Sequence, residues 1–141
     1  MRTIKIILFI VICAFMSSVY AQFSQDITKE MTKASQEAVA GYKKHGVYGM
    51  IEKVARCYSQ LSDKMLYCSY IDLASKYIEL TASQARGYPP SQFFSDESFS
   101  DRTSEIFEKA GLDNGQGDIL LKIISPEINK LVDIELSKST G

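Results

Sequence analysis

The stretch RCYSQLSDKMLYCSY, from Arg56 to Tyr70, decides the fold. Cys57 and Cys68 lie eleven positions apart within it. On one continuous helix that spacing separates two Cα atoms by about 16 Å, whereas a disulfide spans about 7 Å at most. If the two sulfurs bond to each other, the chain must reverse between them. The intervening Ser59 to Asp63 suits a reversal: Ser62 is a good N-cap, and Asp63 then falls in the first turn of the next helix, where negative charge is favoured. The expected unit is a pair of antiparallel helices stapled at their shared turn, a closure of about a dozen residues that stabilises by roughly 3 kcal/mol on loop-entropy grounds. The alternatives are an intermolecular bond or a redox pair, and the redox reading lacks the usual two-residue spacing between cysteines.

Whether the bond forms depends on compartment, and the N-terminus bears on that. Met1 to Tyr20 reads MRTIKIILFIVICAFMSSVY: Arg2 and Lys5, an unbroken apolar run from Ile6 to Met16, then small or polar residues. The run is about half the ~20 residues a bilayer-spanning helix needs, and Val19-Tyr20-Ala21 supplies the small residue expected before a cleavage point. This is the pattern of a secretory signal, the rival being a permanent N-terminal anchor. Cys13 follows Ile12 rather than a small residue, so lipid modification is not expected and Cys13 leaves with the leader. Residues 1–21 are thus expected as signal peptide and residues 22–141 as a single exported domain of 120 residues with net charge −3. The product is expected in the periplasm or secreted, without a stable membrane anchor. Two cysteines then remain in an oxidising setting, which favours their pairing.

Composition agrees with one folded domain. The 141 residues are 45% apolar and 23% charged, typical of a chain that builds a core. The near-neutral balance of 16 bases and 17 acids argues against nucleic-acid binding. Apolar residues recur at intervals of three and four from Phe23 to Tyr42, with Ser24 as a plausible cap and His45-Gly46 as a stop. The same spacing resumes from Val47 to Tyr58, and again from Leu66 to Ala85 before Gly87, Pro89 and Pro90. Ser91 to Ser98 reads as a connecting loop held to the core by Phe93 and Phe94. Ser98 or Ser100 then caps a helix that stops at Gly111, with Leu112 placed for a Schellman contact. Asp113 to Asp118 reads as a turn-rich loop. Ile119 opens a last helix that either kinks or restarts at Ser125-Pro126. The expected fold is all-α: one domain of about five helices containing a disulfide-stapled helical hairpin.

Chemistry-bearing motifs are scarce. His45 is the single histidine, so a multi-histidine zinc site is impossible and one candidate base remains, on a polar helix end. Asp113 to Asp118 lacks the alternating acids and terminal glutamate of a calcium loop. No phosphate-binding glycine loop, dinucleotide fingerprint or serine-hydrolase elbow is present. No catalytic residue, metal or cofactor is expected, and the protein is read as a non-enzyme. Charge is distributed unevenly: residues 22–57 sum to +2, residues 58–87 to 0 and residues 88–141 to −5. Such a segment either solubilises or faces a basic partner, since complementary charge speeds encounter and selects the partner.

At this point the sequence resembles the periplasmic immunity proteins that protect bacteria from type VI secretion amidase effectors. The shared features are the leader, about 120 mature residues, the helical reading, and Cys57-Tyr58 and Tyr67-Cys68 with Asp72 four residues on. The resemblance implies a dimerising helical protein that plugs the active-site groove of a peptidoglycan amidase through a loop. Asp113, Asn114 and Asp118 are the expected plug, with Asp96 and Glu97 adjacent. The alternative is a periplasmic carrier of a small apolar ligand, motivated by eight tyrosines, seven phenylalanines and five methionines.

Overall fold

The computed structural model describes residues 2–60 and 65–138, with side-chain surroundings from residue 24 onward. Its elements are α1 (Arg2–Ser59), α2 (Met65–Arg86), a 3-10 turn (Gln92–Phe94), α3 (Asp96–Lys109) and α4 (Asn114–Ser137), with no strand among the described residues. The chain divides into two compact units, residues 1–30 and 31–141. The first is the N-terminal part of α1. Ser24 lies inside this helix rather than capping it, its carbonyl accepting from the Thr28 hydroxyl at 2.9 Å. The expected Ser62 cap and Asp63 lie outside the described residues.

The all-helical expectation holds, with four α-helices in place of about five. The difference sits at His45-Gly46, expected as a stop and found as a break inside α1: His45 has φ −140° and ψ 17°, and Gly46 has φ 62° and ψ −143°. Gly46 alone of the pair adopts a positive φ, a conformation without steric cost only for glycine. The two limbs flanking the break then approach at backbone distance. A Cβ on Gly49 would lie 2.2 Å from the Gly41 carbonyl oxygen. We therefore expect Gly49→Ala to destabilise the fold by about 1–3 kcal/mol through overpacking, although alanine is the better helix former. Urea unfolding checks this, and a neutral or stabilising result would show that the limbs can part freely.

After the break, residues 47–59 form the second limb of α1, which carries Cys57 near its end. Cys57 and Cys68 are bonded, with Cα atoms 5.5 Å apart, so the chain reverses between them as the spacing required. Cys68, Ile106 and Phe107 form a buried cluster under Tyr58, Leu112 and Leu120. The wider core draws Met50 and Val54 from α1, Ile71, Ala74 and Ile78 from α2, and Ile124, Ile128 and Val132 from α4.

The connection from α2 to α3 is fixed by its aromatics, as expected. Phe94 is fully buried and meets Phe93 edge to face at 5.0 Å. The 3-10 turn begins at Ser91, whose N–H donates to Glu79 Oε1 at 3.0 Å and whose hydroxyl accepts from Phe93 N–H. Helix α3 starts earlier than Ser98: Ser95 is its N-cap and accepts from the Ser98 N–H. The physical reason is that Asp96 and Glu97 occupy the first turn, where carboxylates offset the exposed N–H groups. Its end follows the Schellman pattern, Leu112 N–H donating to Phe107 C=O at 2.8 Å across Gly111.

The expected loop from Asp113 to Asp118 is the cap and first turn of α4, helical from Asn114 onward. Asp113 is the N-cap of α4, its carboxylate accepting from Gln116 N–H at 2.8 Å while its own N–H donates to Gln116 Oε1 at 3.0 Å. This reciprocal capping box satisfies the orphan donors that a turn-rich composition had suggested would stay in a loop. Helix α4 also runs through Pro126 without restarting. The Ser125 hydroxyl donates to the Leu121 carbonyl at 2.5 Å, one residue before the proline.

Candidate functional site

Two polar constellations stand out, and their geometry assigns them different tasks. The first is built on Asp72, fully buried in α2 together with Ile71, Ala74, Ser69 and Ser75. Arg102, on the inner face of α3, grips it with both arms: Nε to Oδ2 at 2.8 Å and a terminal nitrogen to Oδ1 at 2.9 Å. The Tyr58 hydroxyl, from the end of α1, donates to Oδ2 at 3.1 Å. Phe93 lies against the guanidinium, 4.0 Å from ring centroid to Cζ, so cation–π attraction adds to the ion pair.

Burial pushes the Asp72 carboxyl above its ordinary value, and the hydrogen bonds and charge of Arg102 pull against it. Burial and the adjacent carboxylate likewise push the Tyr58 phenol up, which keeps it a neutral donor. Both Asp72 oxygens accept hydrogen bonds, three in all, and the side chain is shut off from solvent. The constellation therefore clamps three helices together.

The second constellation is an open cleft of about 380 Å³ between α2, α3 and the start of α4. Its inner surface includes Phe99 and Phe107, and its polar edge includes Asp96, Asn114 and Asp118. Close packing of α4 against α3 places the edge: a Cβ on Gly117 would lie 2.4 Å from Phe107 Cδ2, so glycine there lets the first turn of α4 sit on that ring. Lys76 of α2 also lines the cleft. Its ammonium is 2.5 Å from Asp96 Oδ1 and 4.5 Å from the Phe99 ring centroid. That ammonium holds the Asp96 carboxyl below the usual carboxylate range. Asp118 is exposed and enters no ion pair among the described residues.

Of the five residues expected to face a partner, three meet here: Asp96, Asn114 and Asp118. Glu97 is exposed in the first turn of α3, outside the cleft lining, and Asp113 is engaged in capping α4. Sequence reasoning missed Lys76, which neutralises one of the acids, and Arg102. The available signal was Asp72 itself, a carboxylate set among Tyr70, Ile71, Leu73 and Ala74 that needs a cation once buried. Which cation supplies it, thirty residues on, was not legible.

Among the described residues, no group of three or more histidines, cysteines or acids could hold a metal ion, and no helix is long and apolar enough to cross a membrane. The fold and these sites define an all-helical, disulfide-stapled domain. No protein-family description, curated protein or solved structure matches the chain.

Proposed function

We propose that this chain is an exported, non-catalytic binding protein whose α3–α4 edge receives a basic protein partner. In this reading the partner is a cell-wall amidase effector, occluded as an immunity protein would occlude it. The observation that carries the reading is the cleft lined by Asn114 and Asp118 of α4 and by Phe99 and Phe107 of α3, in which Asp96 is paired with Lys76 and Asp118 enters no ion pair among the described residues. A lysine or arginine side chain is amphipathic in the matching way, an apolar stem for the ring-lined interior and a cationic head for Asp118 and Asn114. The net charge of −5 over residues 88–141 supplies the long-range attraction. The charged edge of an open cleft suits such a group better than the small apolar ligand of a carrier.

The test pairs the purified chain with a secreted cell-wall amidase encoded beside its gene. Peptidoglycan hydrolysis should fall as the chain is added in equimolar amount. Asp118→Lys should slow association more at low salt than at high salt, because exposed charges act over a Debye length that salt shortens. Asp118 is the informative position, since reversal at Asp113 also removes a helix cap at a cost of about 1 kcal/mol. An amidase unaffected by excess chain, or an association rate indifferent to Asp118→Lys, overturns the proposal.

A further inference from the structure

The break in α1 builds a second pocket, far in sequence from the acidic cleft and opposite to it in charge. It has a volume of about 230 Å³ and lies where the two limbs meet at Gly41 and Gly49. Lys44 and His45 reach it from the end of one limb, and Lys53 and Arg56 from the other. Glu52 is the single acid in its lining, and its carboxylate is taken by Arg56 at 2.5 Å. Lys44 and Lys53 line the pocket and enter no ion pair among the described residues.

The chain reversal is what gathers these cations. On a straight helix, positions 44 and 53 would be separated by about 13 Å of axial rise. The positive-φ Gly46 folds one limb back on the other, and two residues without Cβ atoms let the backbones touch. Lys53 is also held in place: its Cδ lies 3.0 Å from where a Cβ on Gly41 would be, so its stem rests on the glycine surface. Packing of this kind reduces the rotamer freedom lost when the ammonium engages a ligand.

We propose that this pocket binds a phosphate-bearing anion, held by Lys44 and Lys53 with His45 and Arg56 at its sides. A phosphate group fits the demand, because its several acceptor oxygens can take hydrogen bonds from more than one ammonium at once. Free phosphate esters and the headgroup of an anionic phospholipid share this chemistry. The proposal does not depend on the acidic cleft or its partner, which lies on other helices.

Inorganic phosphate titrated into the full chain, followed by amide resonances in two-dimensional NMR, tests the inference. Saturable shifts are expected at Gly41, His45 and Gly49. The variant Lys44→Met/Lys53→Met keeps most of both stems without the charge and should weaken binding by roughly tenfold or more, a change of about 1.4 kcal/mol. A second arm uses phosphatidylglycerol vesicles against phosphatidylcholine vesicles at equal salt. Retention on the former, lost in the same variant, identifies a lipid headgroup; saturable phosphate binding without vesicle binding identifies a free phosphate ester. Shifts that are linear, spread over all lysines and unchanged in the variant show an adventitious ion only and overturn the proposal.

Discussion

Arg102→Met is expected to lower the unfolding free energy by about 3–5 kcal/mol, the range for removing one partner of a buried ion pair. Methionine preserves most of the stem and its contact with Phe93, so the loss isolates the guanidinium. What remains is a fully buried Asp72 carboxylate with Tyr58 as its one nearby hydroxyl donor. The pH dependence carries the signature. Burial already pushes the Asp72 carboxyl up, and removing its chief opposing cation pushes it further. A carboxyl with a folded-state pKa above its unfolded value of about 4 stabilises fully below that value, and the benefit fades as pH rises toward the folded pKa. Parent and variant share the loss up to the parent's folded pKa, so the variant should lose about 1.4 kcal/mol per pH unit relative to the parent only between the parent's folded pKa and its own higher one, and approach the parent in acid. Asp72→Leu combined with Arg102→Met should recover much of the loss, because two apolar side chains leave no stranded charge. Urea unfolding at several pH values decides the matter; an Arg102→Met deficit that is small or flat with pH would mean the clamp is dispensable.

The second large effect is expected from Cys57→Ala/Cys68→Ala. The bond closes eleven residues of sequence between α1 and α2, and its loss should cost roughly 3 kcal/mol, mainly by releasing the unfolded chain. Tyr58 follows Cys57 directly, so the staple also holds the donor that reaches Asp72. The cysteine variant and Tyr58→Phe should consequently couple, their joint cost falling short of the sum of the two singles by about 0.5 kcal/mol or more. Thermal unfolding of the single and combined variants measures this. Strict additivity would show that the staple acts on the unfolded chain alone.

Several elements were legible because local chemistry alone dictates them. The spacing of Cys57 and Cys68 demanded a reversal, and Gly87 and Gly111 mark helix ends at which glycine takes the left-handed conformation. The aromatic anchor at Phe93 and Phe94 followed from two large apolar residues in a polar stretch. The starts of α3 and α4 were misjudged for a common reason. Runs rich in serine, acid and glycine suit both loops and first helical turns, and the difference lies in whether a side chain closes back on an N–H. Ser95 and Asp113 do so here, which turns the expected acidic loop into an ordered helix edge.

Sequence by itself determined the helical class, the stapled hairpin and the segregation of charge along the chain. These depend on periodicity, on the reach of a covalent bond and on simple counting, all of which are properties of near neighbours. Tertiary structure alone decided that Asp72 meets Arg102 and Tyr58, and that Asp96, Asn114 and Asp118 share one cleft edge with Lys76. It likewise decided that Lys44 and Lys53 line one pocket where Gly41 and Gly49 touch. Each of these gatherings depends on how helices cross and how closely their backbones approach, and those distances are set by the whole core at once.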